Sequence, residues 1–238
     1  MEYFNLENDI VTKAMNLYPY YITEDVHSVA SNEEYFDITP TGIISVREEY
    51  QTTLAGKITI PTTLKKNGKD IAVIEIGSMG LNTYGSNSEI THVYFLSDSK
   101  VTAVNANAFA YCNHLQVVDL PATVRAIGSS AFVMCEALTS VTLNDNITTI
   151  SDGAFSGCKQ LEINSLPSKL TSLGGSAFQS CGEGIRLTSL PANLVALGNF
   201  TFSPCTNVKL MDLSNVQHIG AGCFDGAGEG VTNLTLGE

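Results

Sequence analysis

Basic side chains are scarce: 12 lysines and arginines stand against 24 aspartates and glutamates, a net charge of −12 over 238 residues. Phosphate backbones and anionic lipid surfaces repel such a chain at ordinary salt, so nucleic acid is not expected as a partner. No run of about 18 apolar residues occurs, so membrane insertion is not expected either. The opening MEYFNLENDIVTK has no basic stretch, apolar core or small-residue cleavage site, and no export signal is expected in it.

Chemical constellations are missing too. There is no CxxC pair, and His27, His92, His114 and His218 keep no common register with the cysteines, which argues against a zinc site. Cys112 and His114 are close in sequence, but no third group can be named to orient them as a catalytic pair. The glycine-rich GAGEG (226–230) precedes an extended segment where a phosphate loop would open a helix. No catalytic residue, metal or cofactor is therefore expected, and the chain is read as non-enzymatic.

What is present is a period. Phenylalanines stand at Phe109, Phe132, Phe155, Phe178, Phe202 and Phe224, separated by 23, 23, 23, 24 and 22 residues. Eight places before each lie Val101, Val124, Ile147, Leu170, Leu194 and Val216, and five before lie Val104, Ile127, Ile150, Leu173, Leu197 and Ile219. Three places after come Cys112, Cys135, Cys158, Cys181 and Cys205, with Ala227 in the last copy. Apolar residues then recur six, nine and eleven places after the phenylalanine, as in Leu115, Val118 and Leu120, in Leu138, Val141 and Leu143, and in Val208, Met211 and Leu213. Asn164 departs by taking one of these core slots, and Ser151 stands after Ile150 where Gly128, Gly174, Gly198 and Gly220 follow the aliphatic residue in other copies. The phrases CGEGI (181–185) and AGEGV (227–231) place one extra residue at the same point, which marks a loop. Ile76, Gly80 and Leu81, then Ile90, Val93 and Phe95, form a degenerate earlier copy.

A repeat of this length is one supersecondary unit that cannot bury its apolar face alone, and stacking the units builds a shared interior. Stacked coils about 4.7–4.9 Å apart put equivalent cysteines inside the Cα separation of roughly 4.4–6.8 Å that a disulfide tolerates. Five equivalent cysteines cannot all pair, however, and free cysteine packs as a small hydrophobe. A buried, reduced ladder is expected.

The copy IGSSAFVMCEALTSVTL (127–143) resembles the unit of the BspA-like family of bacterial leucine-rich repeats, and the resemblance covers residues 58–238. It implies a leucine-rich-repeat solenoid of right-handed stacked coils, about 23 residues each, with a parallel β ladder. Relatives in that family often belong to surface proteins that bind host or neighbouring-cell components, which implies an extracellular setting.

Residues 1–57 lie outside the repeats and hold ten carboxylates against Lys13, Arg47 and Lys57. They are read as a cap or docking segment: a helix with Leu6, Ile10, Ala14 and Leu17 on one face, ending before Pro19, then a hairpin of EYFDI (34–38) and IISV (43–46). Tyr18, Pro19, Tyr20 and Tyr21 are the candidate docking cluster, since tyrosine is enriched at interfaces. The sequence stops in mid-repeat at LTLGE, so either more chain or a partner is expected over that edge.

A ligand would be read by the outward side chains of the ladder. One stripe is Asp119, Thr142, Ser165, Ser189, Asp212 and Thr235, and its neighbour is Gln116, Thr139, Glu162, Arg186 and Lys209. The expected function is a recognition or adhesion module for a protein or glycan partner. The alternative is a structural virion component, a phage tail, fibre or decoration protein, docked in a larger assembly through the N-terminal segment.

Overall fold

The computed structural model describes residues 35–50, 54–77, 89–210, 212–227 and 235–236. The helix expected before Pro19 and the cluster at Tyr18–Tyr21 lie outside these residues, as do Gly80, Leu81 and Met211. Among the described residues there is no α-helix, only a single 3₁₀ turn at Glu48–Tyr50. The rest is short strands and turns, because each coil alternates an extended piece with a bend.

The expected hairpin is present. Its strands β1 (Phe36–Ile38) and β2 (Ile43–Val46) pair antiparallel, with Phe36 opposite Val46 and Ile38 opposite Ile44. Gly42 turns the chain at φ 88°, where a side chain would be strained. β2 then begins a parallel ladder, so the hairpin and the repeats share one seven-stranded sheet. Its further rungs are β6 (Glu75–Ile76), β8 (Ala103–Val104), β10 (Ala126–Ile127), β12 (Thr149–Ile150) and β13 (Ser172–Leu173).

The second ladder has four strands: β3 (Ala55–Ile60), β7 (Glu89–Phe95), β9 (Val117–Val118) and β11 (Ser140–Val141). Two short pairs follow, β14 (Ala196–Leu197) with β16 (His218–Ile219), and β15 (Asp212–Leu213) with β17 (Thr235–Leu236). An unexpected hairpin, β4 (Thr63–Lys66) and β5 (Lys69–Ala72), turns on Asn67 and Gly68 at φ 52° and 76°. Asn-Gly suits such a turn, since both central residues need positive φ.

The columns point inward. Val101, Val124, Ile147, Leu170 and Leu194 are fully buried, and Val104, Ile127, Ile150, Leu173 and Leu197 nearly so. Phe109, Phe132, Phe155, Phe178 and Phe202 are buried, and their rings stack at centroid distances of 5.1, 5.2, 5.4 and 5.9 Å with planes within 6° of parallel. At the last described coil Ile219 is 38% exposed, and Phe224 is half-buried while still stacking on Phe202.

One expectation about the core fails. The middle inward residue is nine places after the phenylalanine at Val118 and Val141, but eight places after it at Ile163 and Leu210, and Leu187 matches them once the inserted residue is counted. Asn164 is exposed and takes no core slot. Burying an amide without partners is costly, and at this copy the chain turns Ile163 inward in place of Asn164. That shift interrupts the second ladder: among the described residues the parallel pairing beyond β11 resumes as an isolated bridge between Ile163 and Ile185.

The turn side is built differently. Asn107 and Tyr111, Ser130 and Met134, Gly153 and Gly157, and Ser176 and Ser180 repeat the same pair of positive φ values. Asn107, Phe109 and Tyr111 donate their N–H groups to the carbonyls of Ser129, Ala131 and Val133 in the next coil, at 3.0, 2.7 and 2.8 Å. Ser130, Phe132 and Met134 repeat this toward Asp152, Ala154 and Ser156. Close stacking also explains the glycine after the aliphatic column: a Cβ on Gly198 would lie 2.4 Å from the Gly175 nitrogen. Where Ser151 stands in that column, Gly174 of the next coil packs over it.

Candidate binding face

The thiols are structural. All six cysteines are buried and none is in a disulfide. The Sγ atoms of Cys135, Cys158 and Cys181 donate to the carbonyls of Phe109, Phe132 and Phe155 at 3.0 Å, and Cys205 donates to Phe178 at 3.1 Å. Each thiol thus adds a donor to a phenylalanine carbonyl that already accepts the N–H of the cysteine in its own coil. Burial pushes the thiols up: Cys135, Cys158 and Cys181 well above the usual range, Cys205 to about 12 and Cys223 to about 11. Thiolate is the reactive form, so this column is chemically quiet.

Eight of the predicted stripe residues are exposed and a ninth is half-buried. Gln116, Thr139, Glu162, Arg186 and Lys209 are exposed, as are Thr142, Ser165 and Ser189, while Asp119 is half-buried. The backbone sets them side by side: the Thr139 N–H donates to Gln116, that of Glu162 to Thr139, that of Arg186 to Ile163, and that of Lys209 to Leu187. Asp212 lies on β15, opposite Thr235 of β17. The stripes are internally complementary. The Thr142 hydroxyl donates to Asp119 Oδ1 at 2.8 Å, and Arg186 approaches Glu162 at 3.9 Å. On a neighbouring turn Lys159 pairs with Glu136 at 2.8 Å.

Sequence reasoning began the stripes at the first phenylalanine copy and so missed their continuation onto β7. There His92 and Tyr94 face outward, their rings 6.0 Å apart and 28° from parallel. His92 lies between Lys57 and Val117, and Tyr94 stands opposite Thr59 and next to Asp119. Partial burial lowers the His92 pKa and Lys57 adds to this; burial raises that of Tyr94, with Asp119 contributing. Ile90, Val93 and Phe95, which correspond to Leu115, Val118 and Leu120, were the available signal, since they place Tyr94 in line with Asp119, but the stripes were not extended to this degenerate copy.

On another side of the coils a shallow groove of about 700 Å³ is lined by Asp152, Gly175, Ser176, Asn199 and His218. Asp152 and Asn199 are engaged there with backbone, accepting from the N–H groups of Gly175 and Ala221 at 2.7 and 2.8 Å. Among the described residues no three His, Cys, Asp or Glu side chains gather as a metal site would require, and no helix is long and apolar enough to cross a membrane.

Coils paced at about 23 residues, closed by parallel ladders and filled by aliphatic columns, define a leucine-rich-repeat solenoid. The BspA type Leucine rich repeat region matches the chain in six copies over residues 77–209 and 127–238, and the chain belongs to that family. No relative is found among curated protein sequences.

Among solved structures, a leucine rich cell surface protein from Faecalibacterium prausnitzii A2-165 superposes with a TM-score of 0.68 at 24% identity, covering 84% of this chain and 52% of that one. A leucine-rich repeat protein from Bacteroides ovatus gives 0.66 at 26% identity, covering 85% and 53%. The leucine rich repeat protein of T. pallidum gives 0.64 at 24% identity, covering 80% and 85%. This chain spans about half the length of the first two.

Proposed function

We propose that the chain is a non-enzymatic recognition or adhesion module, and that it meets its partner through the outward face of the second ladder and its continuation past β11. The observation that carries this reading is the separation of duties within each coil: packing falls to inward side chains, while the exposed Gln116, Thr139, Glu162, Arg186 and Lys209 and the companion stripe from Asp119 vary freely in chemistry on a rigid frame. Repeat proteins use such extended surfaces for binding. The surface location of the Faecalibacterium relative supports a partner met outside the cell. Tyr18, Pro19, Tyr20 and Tyr21 are proposed as a second contact, anchoring the module in a larger assembly.

The test is a pull-down from host-cell surface extract with the intact chain and with a variant carrying Ala at Thr139, Thr142, Glu162 and Arg186. All four side chains are exposed, so the variant keeps its fold. Loss of the captured partner supports the reading; undiminished capture refutes it.

A further inference from the structure

The stripes are polar and nearly featureless except where they reach β7. His92 and Tyr94 form the aromatic step on this ladder face, flanked by Thr59 on β3 and by Asp119 and Thr142 beyond. Resting on the recognition reading above, we propose that this step is a subsite for an uncharged saccharide, one ring of which stacks on Tyr94 while its hydroxyls bond to Asp119 and His92.

Three observations select that chemistry. The first is the inventory of groups. The His92 Nδ1 is engaged with the Thr91 hydroxyl at 2.9 Å, which leaves Nε2 as the ring's other polar atom. The Asp119 carboxylate holds Thr142 through Oδ1 and has further acceptor capacity on its second oxygen. An aromatic face beside a carboxylate and hydroxyls suits a sugar, which offers C–H groups on one face and paired hydroxyls at its rim.

The second observation is charge. Lys57 and Asp119 flank the step with opposite signs, and His92 is held toward its neutral form, so the step itself is balanced. The chain around it carries −12 and repels anionic sugars. An uncharged ligand is the complement of that arrangement.

The third is shape. Tyr94 is a half-exposed ring on the outer face of the parallel ladder that runs from β3 through β11, a platform against which the C–H face of a sugar can lie, whereas peptide partners favour anchors sunk in desolvated pockets.

The experiment uses the whole chain on an array of uncharged oligosaccharides, hexose and N-acetylhexosamine polymers included, followed by calorimetric titration with the strongest binder. Tyr94→Ala is expected to weaken binding about tenfold, and Asp119→Asn by a similar factor. Tyr94→Phe keeps the ring and stays within about threefold, and Lys169→Ala, on an exposed turn outside both stripes, leaves affinity unchanged. Tyr94→Phe also guards against a trivial folding defect in the alanine variant.

Absence of binding to every uncharged glycan overturns the inference, and so does binding that Tyr94→Ala leaves intact. If the glycans fail while the four-alanine variant still loses a captured protein, recognition stands and the saccharide subsite falls. If both fail, the recognition reading falls with it.

Discussion

Within the same coils the turn side and the strand side obey different rules. From Phe109 to Phe224 the rings stay stacked at 5.1–5.9 Å, with planes 1–10° from parallel. Across the same span the second ladder loses its continuity after β11, and its middle core residue moves by one position at Ile163. The turn side keeps a ring in every copy from Phe109 to Phe224, a thiol three places on in all but the last, and the same pair of positive φ values in each coil from Asn107 to Ser180. The strand side needs only an apolar residue facing inward, and two neighbouring positions can supply it. Phase is therefore kept at the turns, and variation is admitted where the outward stripes lie.

The strongest challenge to that contrast is Phe155→Ala. The ring is buried between Phe132 and Phe178, and its removal is expected to cost about 3–5 kcal/mol in urea unfolding. A loss under about 1 kcal/mol would show that the turn side does not hold the phase. Next comes the register itself. Ile163→Ala should cost about 2–4 kcal/mol and Asn164→Ala less than about 0.5; the reverse order in the same assay would restore the unshifted frame.

The thiol column sharpens the comparison through pH. Cys205 and Cys223 are raised from 9.0 to about 12 and about 11. Below pH 9 both folded and unfolded chains hold these protons and stability does not depend on them. Above it the unfolded chain releases protons that the folded chain keeps, so stability falls as pH rises from 9 toward 12. Thermal melts between pH 7 and 11 check this; a flat melting temperature would contradict it. A thiol reagent at pH 8 should find almost no reactive cysteine in the native protein and six after denaturation.

The smallest effect is expected on the outside. Lys159 and Glu136 are both exposed although 2.8 Å apart, so Glu136→Gln should change the same urea midpoint by no more than about 0.5 kcal/mol. A larger loss would mean that surface pairs, and not only the stacked interior, hold neighbouring coils together.

Much of this was legible in the sequence because the turn side leaves a strict record: one phenylalanine, one cysteine and two aliphatic positions at near-constant spacing predicted the buried columns, while the hairpin at β1 and β2 was read separately from EYFDI and IISV on either side of TPTG. The strand register was not legible. Ile163 and Asn164, or Leu210 and Met211, are adjacent, and spacing alone does not say which faces in. The β4–β5 hairpin went unread although Asn67-Gly68 signals it, because it sits in a degenerate copy with no column to mark the insertion. His92 and Tyr94 escaped because the stripes were begun at the Phe109 copy, although Ile90, Val93 and Phe95 carry the register back to β7. The outward positions of Gln116 through Lys209 were predicted by alternation, which tells where a side chain points and is silent about what meets it.

The turn-side bonds have one further consequence. On the turn side, at alternate residues, the N–H groups point toward the following coil and the carbonyls toward the preceding one, while strand-side bonds such as Arg125 N–H to Thr102 and Thr148 N–H to Arg125 run the opposite way, so the peptide dipoles of the two sides oppose each other. Severing the solenoid after Gly174 would strip Gly153, Phe155 and Gly157 of the acceptors at Gly175, Ala177 and Gln179, leaving a bare row of amide donors on the cut face. A shortened array would present that row to water, ready to accept an anion or another chain's carbonyls along it.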